Sequence, residues 1–228
     1  MTINEKIVII IPRKDKGGFR MQHTVITIGR SYGSGGHEVG ARLAAKLGIA
    51  FYDKKLLELA AEKTGYCEDF IKHNDEKTPG VFARSMTFTR GSGYAHPSSE
   101  DTVFVHQSQI IKELAEKESC VIVGRCADFV LRDRKDTVNL FIYASLEDRI
   151  QRKLALDDEK KSEAQIKKEI MAADKQREKY YNFYTGERWG NSRNYHLCID
   201  ASLVGVDGAV DLIIEFLDKR GRANIMPD

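Results

Sequence analysis

Residues 24–29, TVITIG, form a β-branched run that stops at glycine, after which Val39, Leu43 and Leu47 recur at four-residue spacing. The pattern predicts a strand, a turn and an amphipathic helix. Gly48 ends that helix, and IAFYD follows as a second strand whose Asp53 is placed to cap a helix carrying Leu56, Leu57 and Ala60. Further on, CVIVG at 120–124 and TVNLFIY at 137–143 are nearly continuous apolar runs, the signature of strands buried on both faces of a parallel sheet. HLCID at 196–200 is a weaker third case. Helical spacing lies between them: Ile110, Ile111 and Leu114 within 105–117, then Val210, Ile213, Ile214 and Leu217 within 206–220, with Gly221 as the stop. Strands alternating with helices make this an α/β chain.

Two stretches break the alternation. Residues 74–101 hold glycines and prolines without a period and read as an irregular insertion, a length of loop that is usually functional. Residues 147–179 are charged at more than half of their positions, with sparse apolar residues such as Leu154, Ile166 and Ile170, so they predict a solvated helical pair. The first 20 residues, with Arg13, Lys14, Lys16 and Arg20 beside Gly17 and Gly18, precede the first core strand as an extension.

Composition narrows the class. At 228 residues, 42% hydrophobic and 31% charged, the chain can bury a full core and is neither fibrous nor disordered as a whole. The longest aliphatic run, Ile7 to Ile11, is too short to span a membrane and resembles no secretory signal, so a cytoplasmic location without membrane partners is expected. A net charge of +2 gives no global field to recruit nucleic acid. Cysteines at 67, 120, 126 and 198 have neither zinc-ligand nor disulfide-framework spacing and read as incidental thiols. His73, His96, His106 and His196 show no pairing at catalytic spacing.

The most informative stretch is ITIGRSYGSGGHEVG, 26–40, where Gly33, Gly35 and Gly36 fall between strand and helix. Glycines there allow positive φ and let backbone N–H groups converge on an anion at the positive end of the helix. Taken alone the cluster is equally compatible with a tight turn.

Combined with FYDKKLL, VIVGRCAD, LFIYASLEDRIQRK, DKQREKYYNFYTGERWG and YHLCIDAS, it resembles the cytidylate kinase-like family of P-loop proteins over about residues 24–218. The resemblance implies a P-loop NTPase fold: three layers, α/β/α, around a five-stranded parallel sheet. A single domain over 24–228 would carry a substrate-binding insertion near 54–104 and a helical lid near 147–195, after an extension over 1–23. It implies ATP and Mg2+ as cofactors and a nucleotide or similar small molecule as acceptor. Homo-oligomerisation stays open.

Residue roles follow from the same resemblance. Gly33, Ser34, Gly35, Gly36 and His37 would hold the donor phosphates. Arg125, after a buried strand and Gly124, matches the arginine that holds the acceptor's phosphate, and Asp174 with Arg177 match an Asp-x-x-Arg pair near the acceptor. Arg149, Arg152 and Lys153 gather on one side of a helix and suit a lid over the donor phosphates. The loop departs from the pattern of true cytidylate kinases, roughly G-x-x-G-x-G-K-G-T: Arg30 stands on the first glycine, Gly36 on the lysine and Glu38 on the threonine. Arg30 and His37 are the candidates to replace the missing charge, and Glu38 the candidate Mg2+ ligand. An ATP-dependent phosphotransferase is the expected function. Its rival is a nucleotide-binding regulatory or interaction module that kept the cradle and lost catalysis. The aromatic group Tyr180, Tyr181, Tyr184 and Trp189 reads as packing for the return of the lid rather than as a base-stacking surface.

Overall fold

Each apolar run becomes a strand of one sheet in the computed structural model, which describes residues 23–53, 99–157 and 160–223. The strands are β1 (Val25–Arg30), β2 (Ala50–Tyr52), β3 (Cys120–Val123), β4 (Thr137–Tyr143) and β5 (Leu197–Asp200). They lie in the order β2-β3-β1-β4-β5, every neighbouring pair parallel. β1 is central: Val25 sits opposite Cys120 on one side and Thr137 on the other.

The helices are α1 (Gly36–Leu47), α2 (Ser99–Lys117), α3 (Ala127–Val130), α4 (Leu146–Ala155), α5 (Glu163–Thr185) and α6 (Ala201–Ala223). Side chains alternate across the sheet, so Ile26, Ile28, Val121, Val123, Leu140 and Ile142 meet Val39 and Leu43 of α1 and Val210 and Ile213 of α6. From the other face Val25, Cys120 and Ile122 meet Ile110 and Ile111 of α2 with Ala127 and Val130 of α3. Both faces are covered, which is why β3 and β4 read as apolar throughout. Each fully buried aliphatic side chain contributes about 1.5–3 kcal/mol. The result is a three-layer α/β/α P-loop fold with a five-stranded parallel sheet.

The charged pair, α4 and α5, packs across the turn after β1, in the position of the expected lid. Ile150, Ile166 and Ile170 make its small core, joined by Tyr32 from the turn after β1. A capping box starts α5: the Ser162 hydroxyl accepts from the Gln165 N–H while the Gln165 side chain accepts from the Ser162 N–H.

Two boundaries differ from expectation. Helix α2 begins at Ser99, inside the stretch read as irregular, because its first turns carry Ser and Asp residues that sequence patterns score as turn formers. Helix α6 passes through Gly221 to Ala223, since glycine stops a helix only where it adopts the left-handed form. Gly205 (φ 66°, ψ −177°) instead takes an extended conformation open only to glycine and kinks α6 near its start. The extension and most of the insertion, with the helix that Asp53 was expected to cap, lie outside the described residues. Among the described residues, no helix is long and apolar enough to cross a membrane.

Candidate active site

The chain leaves β1 toward β2 and β3 on one side and continues to β4 and β5 on the other. Ligands of open parallel sheets collect at such a switch point, beyond the carboxyl ends of the strands. Arg30 ends β1, and Gly124 and Arg125 follow β3 beside it.

The glycine turn is held from beneath. Gly33 (φ 81°) and Gly35 (φ 84°) are left-handed, and the buried Ser34 hydroxyl lies 2.9 Å from the Ser31 carbonyl and 3.1 Å from that of Ile142 while accepting from the Gly36 N–H at 3.3 Å. Helix α1 then presents its positive end to the turn. The lid lies directly on the other side: a Cβ at Gly33 would meet Arg149 and Lys153, and one at Gly35 would lie 3.4 Å from the guanidinium carbon of Arg152. Arg149 and Arg152 therefore lie over the turn. A cleft beside it is lined by Gly33, Ser34, Arg152, Ser202, Gly205 and Val206.

Gly36 stands where a P-loop lysine would be, and the structure shows why no side chain fits. A Cβ there would lie 2.6 Å from the Cβ of Arg30. Arg30 runs past Gly36, and its guanidinium rests against Gly124, at a point with no room for a Cβ. The structure thus carries Arg30 away from the glycine turn and into a second pocket.

That pocket is lined by Arg30, Arg125 and Arg177, with Asp128, Tyr181 and Tyr195 among its other walls. Arg177 also donates to the Arg30 carbonyl at 3.1 Å. Arg125 is 6% exposed and left-handed (φ 55°), as is Cys126 after it (φ 54°), an arrangement that costs non-glycine residues energy and concentrates at functional sites. Asp128 accepts from the Tyr181 hydroxyl at 2.8 Å. Burial pushes the Asp128 carboxyl above its ordinary range, and burial likewise pushes the Tyr181 and Tyr195 phenols upward. Among the described residues, three arginines and one carboxyl whose protonation burial favours line this pocket. Tyr180 and Tyr181 pack with Cys126, Phe104, Tyr184 and Trp189, so the aromatic group docks the lid as expected while also walling this pocket.

The remaining predicted residues are placed differently. His37 Nε2 lies 2.8 Å from Asp53, with the ring edge-on to Phe51, and so ties α1 to the end of β2. Asp174 does not reach the second pocket: it accepts from the Tyr32 N–H at 2.7 Å and from Arg149 at 2.5 Å, locking lid to loop. Its expected partner Arg177 sits one turn further, in the pocket. Glu38 pairs through Oε1 with Arg42 at 2.5 Å and through Oε2 with Arg152. Both carboxylate oxygens are occupied by guanidinium groups, so this donor set does not fit a directly bound Mg2+; among the described residues no cluster of three acidic, His or Cys side chains offers a replacement.

Sequence reasoning missed Tyr32, Asp128 and Tyr195. Tyr32 closes the lid: its hydroxyl donates to Glu169 at 2.6 Å and holds that carboxyl below its ordinary range, while Lys153 and Arg177 lie over its ring. Nothing in an aromatic residue within a glycine turn announces this. Asp128 carried a usable signal, an acid inside VIVGRCADFV, where Arg125 is the one other charged residue.

A parallel sheet in this order, a glycine turn after its central strand and a helical lid across that turn define the P-loop kinase fold. The chain belongs to the cytidylate kinase-like family, which matches residues 25–203. An uncharacterized protein from Eubacterium ventriosum ATCC 27560 is similar at 31% identity and a TM-score of 0.65, covering 86% of this chain and 98% of its own. Shikimate kinase from Bacteroides thetaiotaomicron (16% identity, TM-score 0.51, covering 86% of this chain and 98% of its own) shares the fold. So does a gluconokinase from Sinorhizobium meliloti 1021 (14%, 0.50, covering 88% and 97%). Among curated proteins none matches.

Proposed function

We propose that the protein is an ATP-dependent phosphotransferase that moves the γ-phosphoryl of ATP to a nucleoside monophosphate or a similar small anionic acceptor in the cytoplasm. The observation that carries the reading is that one short segment joins two pockets. Gly29 and Arg30 line the three-arginine pocket, and Gly33 and Ser34 line the cleft beneath the lid. A donor in the cleft and an acceptor among Arg30, Arg125 and Arg177 would meet across the β1 turn, which is the positioning that phosphoryl transfer requires. Gly33, Ser34, Gly35, Gly36 and the His37 N–H cradle the donor phosphates in this reading. Arg149 and Arg152 supply charge from the lid, while Asp174 holds the lid in place. Mg2+ enters as the counter-ion of ATP rather than as an ion held by Glu38.

Gly36 favours a second reading, a nucleotide-binding module without catalysis, because the loop offers no lysine to the transition state and loss of one such donor costs about 10² to 10³ in rate. ADP formation measured with a panel of nucleoside monophosphates and small hydroxy acids separates the two. Acceptor-dependent ADP supports the transferase. Tight ATP binding with no turnover for any acceptor supports the module.

A further inference from the structure

Glu38 holds a carboxylate at the place where a phosphate loop wants positive charge, and it is not isolated there. Its Oε2 takes the guanidinium of Arg152 from the lid and its Oε1 that of Arg42, whose other arm reaches Asp207 of α6 at 2.5 Å. The four residues form a ladder across α4, α1 and α6. Asp207 raises the Arg42 pKa further above its ordinary value, so that rung stays charged. Along the ladder Arg152 comes to lie with its guanidinium carbon 3.4 Å and Nε 3.5 Å from the point where a Gly35 side chain would begin, at the mouth of the glycine turn. Arg152 also lines the adjoining cleft with Gly33 and Ser34. An unheld arginine would lose this placement to its own rotamer freedom, and a charge-assisted bond from one carboxylate oxygen, with the other oxygen anchored by Arg42, restricts it.

We infer that Glu38 is a positioning residue: it sets Arg152 over the glycine turn so that the lid delivers the charge the loop lacks, and it does so instead of ligating a metal. The inference rests on the donor-binding half of the proposed function and needs no knowledge of the acceptor. It explains two departures together, since a glycine at 36 leaves no cation in the loop and an acid at 38 recruits one from the lid.

The test is a double-mutant cycle on the full chain. ATP is titrated calorimetrically, once in EDTA and once in excess Mg2+, into the parent, Glu38→Gln, Arg152→Ala and the double variant. Circular dichroism confirms that each is folded. Arg152→Ala is expected to weaken metal-free ATP at least about tenfold, the scale of one charge-assisted contact. Glu38→Gln is expected to weaken metal-free ATP in the parent and to leave its affinity unchanged once Arg152 is gone, a coupling of at least about fivefold in the affinity ratio, whereas tighter ATP binding by Glu38→Gln would overturn the positioning role. Equal fold-changes in both backgrounds would overturn the positioning role. A Glu38→Gln loss confined to the Mg2+ titration, and persisting without Arg152, would return Glu38 to metal binding and overturn it equally. If the parent binds no ATP in either buffer, the donor reading itself fails, and the positioning role with it.

Discussion

The two halves of the site are built from the same residue types under opposite conditions. On the donor side the ladder at Glu38 is partly exposed and its charges are paired with one another: the Glu38 side chain is 37% exposed and that of Arg152 32%, and Arg42 and Asp207 are more open still, while Arg149 and Asp174 beside it are only 13% and 20% exposed. On the acceptor side Arg125, Asp128 and Tyr181 are nearly sealed. Exposed pairs contribute about 0–1 kcal/mol each and exchange partners easily, whereas a buried charge is costly and stays fixed by its surroundings. In the proposed function the donor half would be a set of replaceable contacts open to a polyphosphate, and the acceptor half would stand prebuilt before its guest arrives.

The sharpest challenge to that division falls on its buried member. Arg125→Ala should lower acceptor-dependent turnover by about 10² or more and weaken acceptor binding by about 1.5–3 kcal/mol, while ATP titrations stay at the parent value. Steady-state kinetics with the acceptor varied, set beside calorimetry with ATP, measure both halves at once. An equal loss of ATP affinity would show that the pockets are not separable.

A second substitution asks whether the border between the halves is steric. Arg30 and a side chain at 36 compete for one space, because their Cβ atoms would lie 2.6 Å apart. Gly36→Lys alone should destabilise the fold by about 1–3 kcal/mol, the usual cost of overpacking. Arg30→Gly combined with Gly36→Lys should recover most of that loss and restore a conventional loop cation. Urea denaturation midpoints read the cycle, and a costless Gly36→Lys would mean that Arg30 swings away freely.

The same crowding shows what could be read from the chain and what could not. Strands β1, β3 and β4 were legible because burial on both faces leaves an uninterrupted apolar run, and the glycine turn because its positive φ values demand glycine. The three-layer fold and the role of the arginine after Gly124 came from the family resemblance that those motifs carry. The destination of Arg30 did not, since it is decided by missing Cβ atoms at Gly36 and Gly124, residues distant from each other in sequence. Glu38, His37 and Asp174 were recognised as site residues, yet their partners Arg152, Asp53 and Tyr32 come from other elements, and side-chain pairing across elements leaves no period in a sequence. Tyr32 was invisible for the same reason.

The smallest expected effect tests whether the acceptor half really differs in kind from the donor half. Burial raises the Asp128 carboxyl above its ordinary value, although the Tyr181 hydroxyl bonded to it pulls the other way. From that ordinary value up to the raised one, the folded state holds more protons than the unfolded state, so Asp128 makes stability fall as pH rises through the window. Above it the cost of a buried carboxylate is constant. Asparagine keeps an oxygen that can accept from Tyr181 and carries no charge to desolvate. Asp128→Asn should therefore match the parent near pH 4 and exceed it near pH 7 by about 1 kcal/mol or less, a difference that urea midpoints at the two pH values resolve. The opposite result, a variant weaker than the parent at neutral pH, would mean that the carboxylate is ionised and matched by a neighbouring arginine. The acceptor pocket would then be one more set of paired charges, buried more deeply than the ladder at Glu38 but built on the same plan.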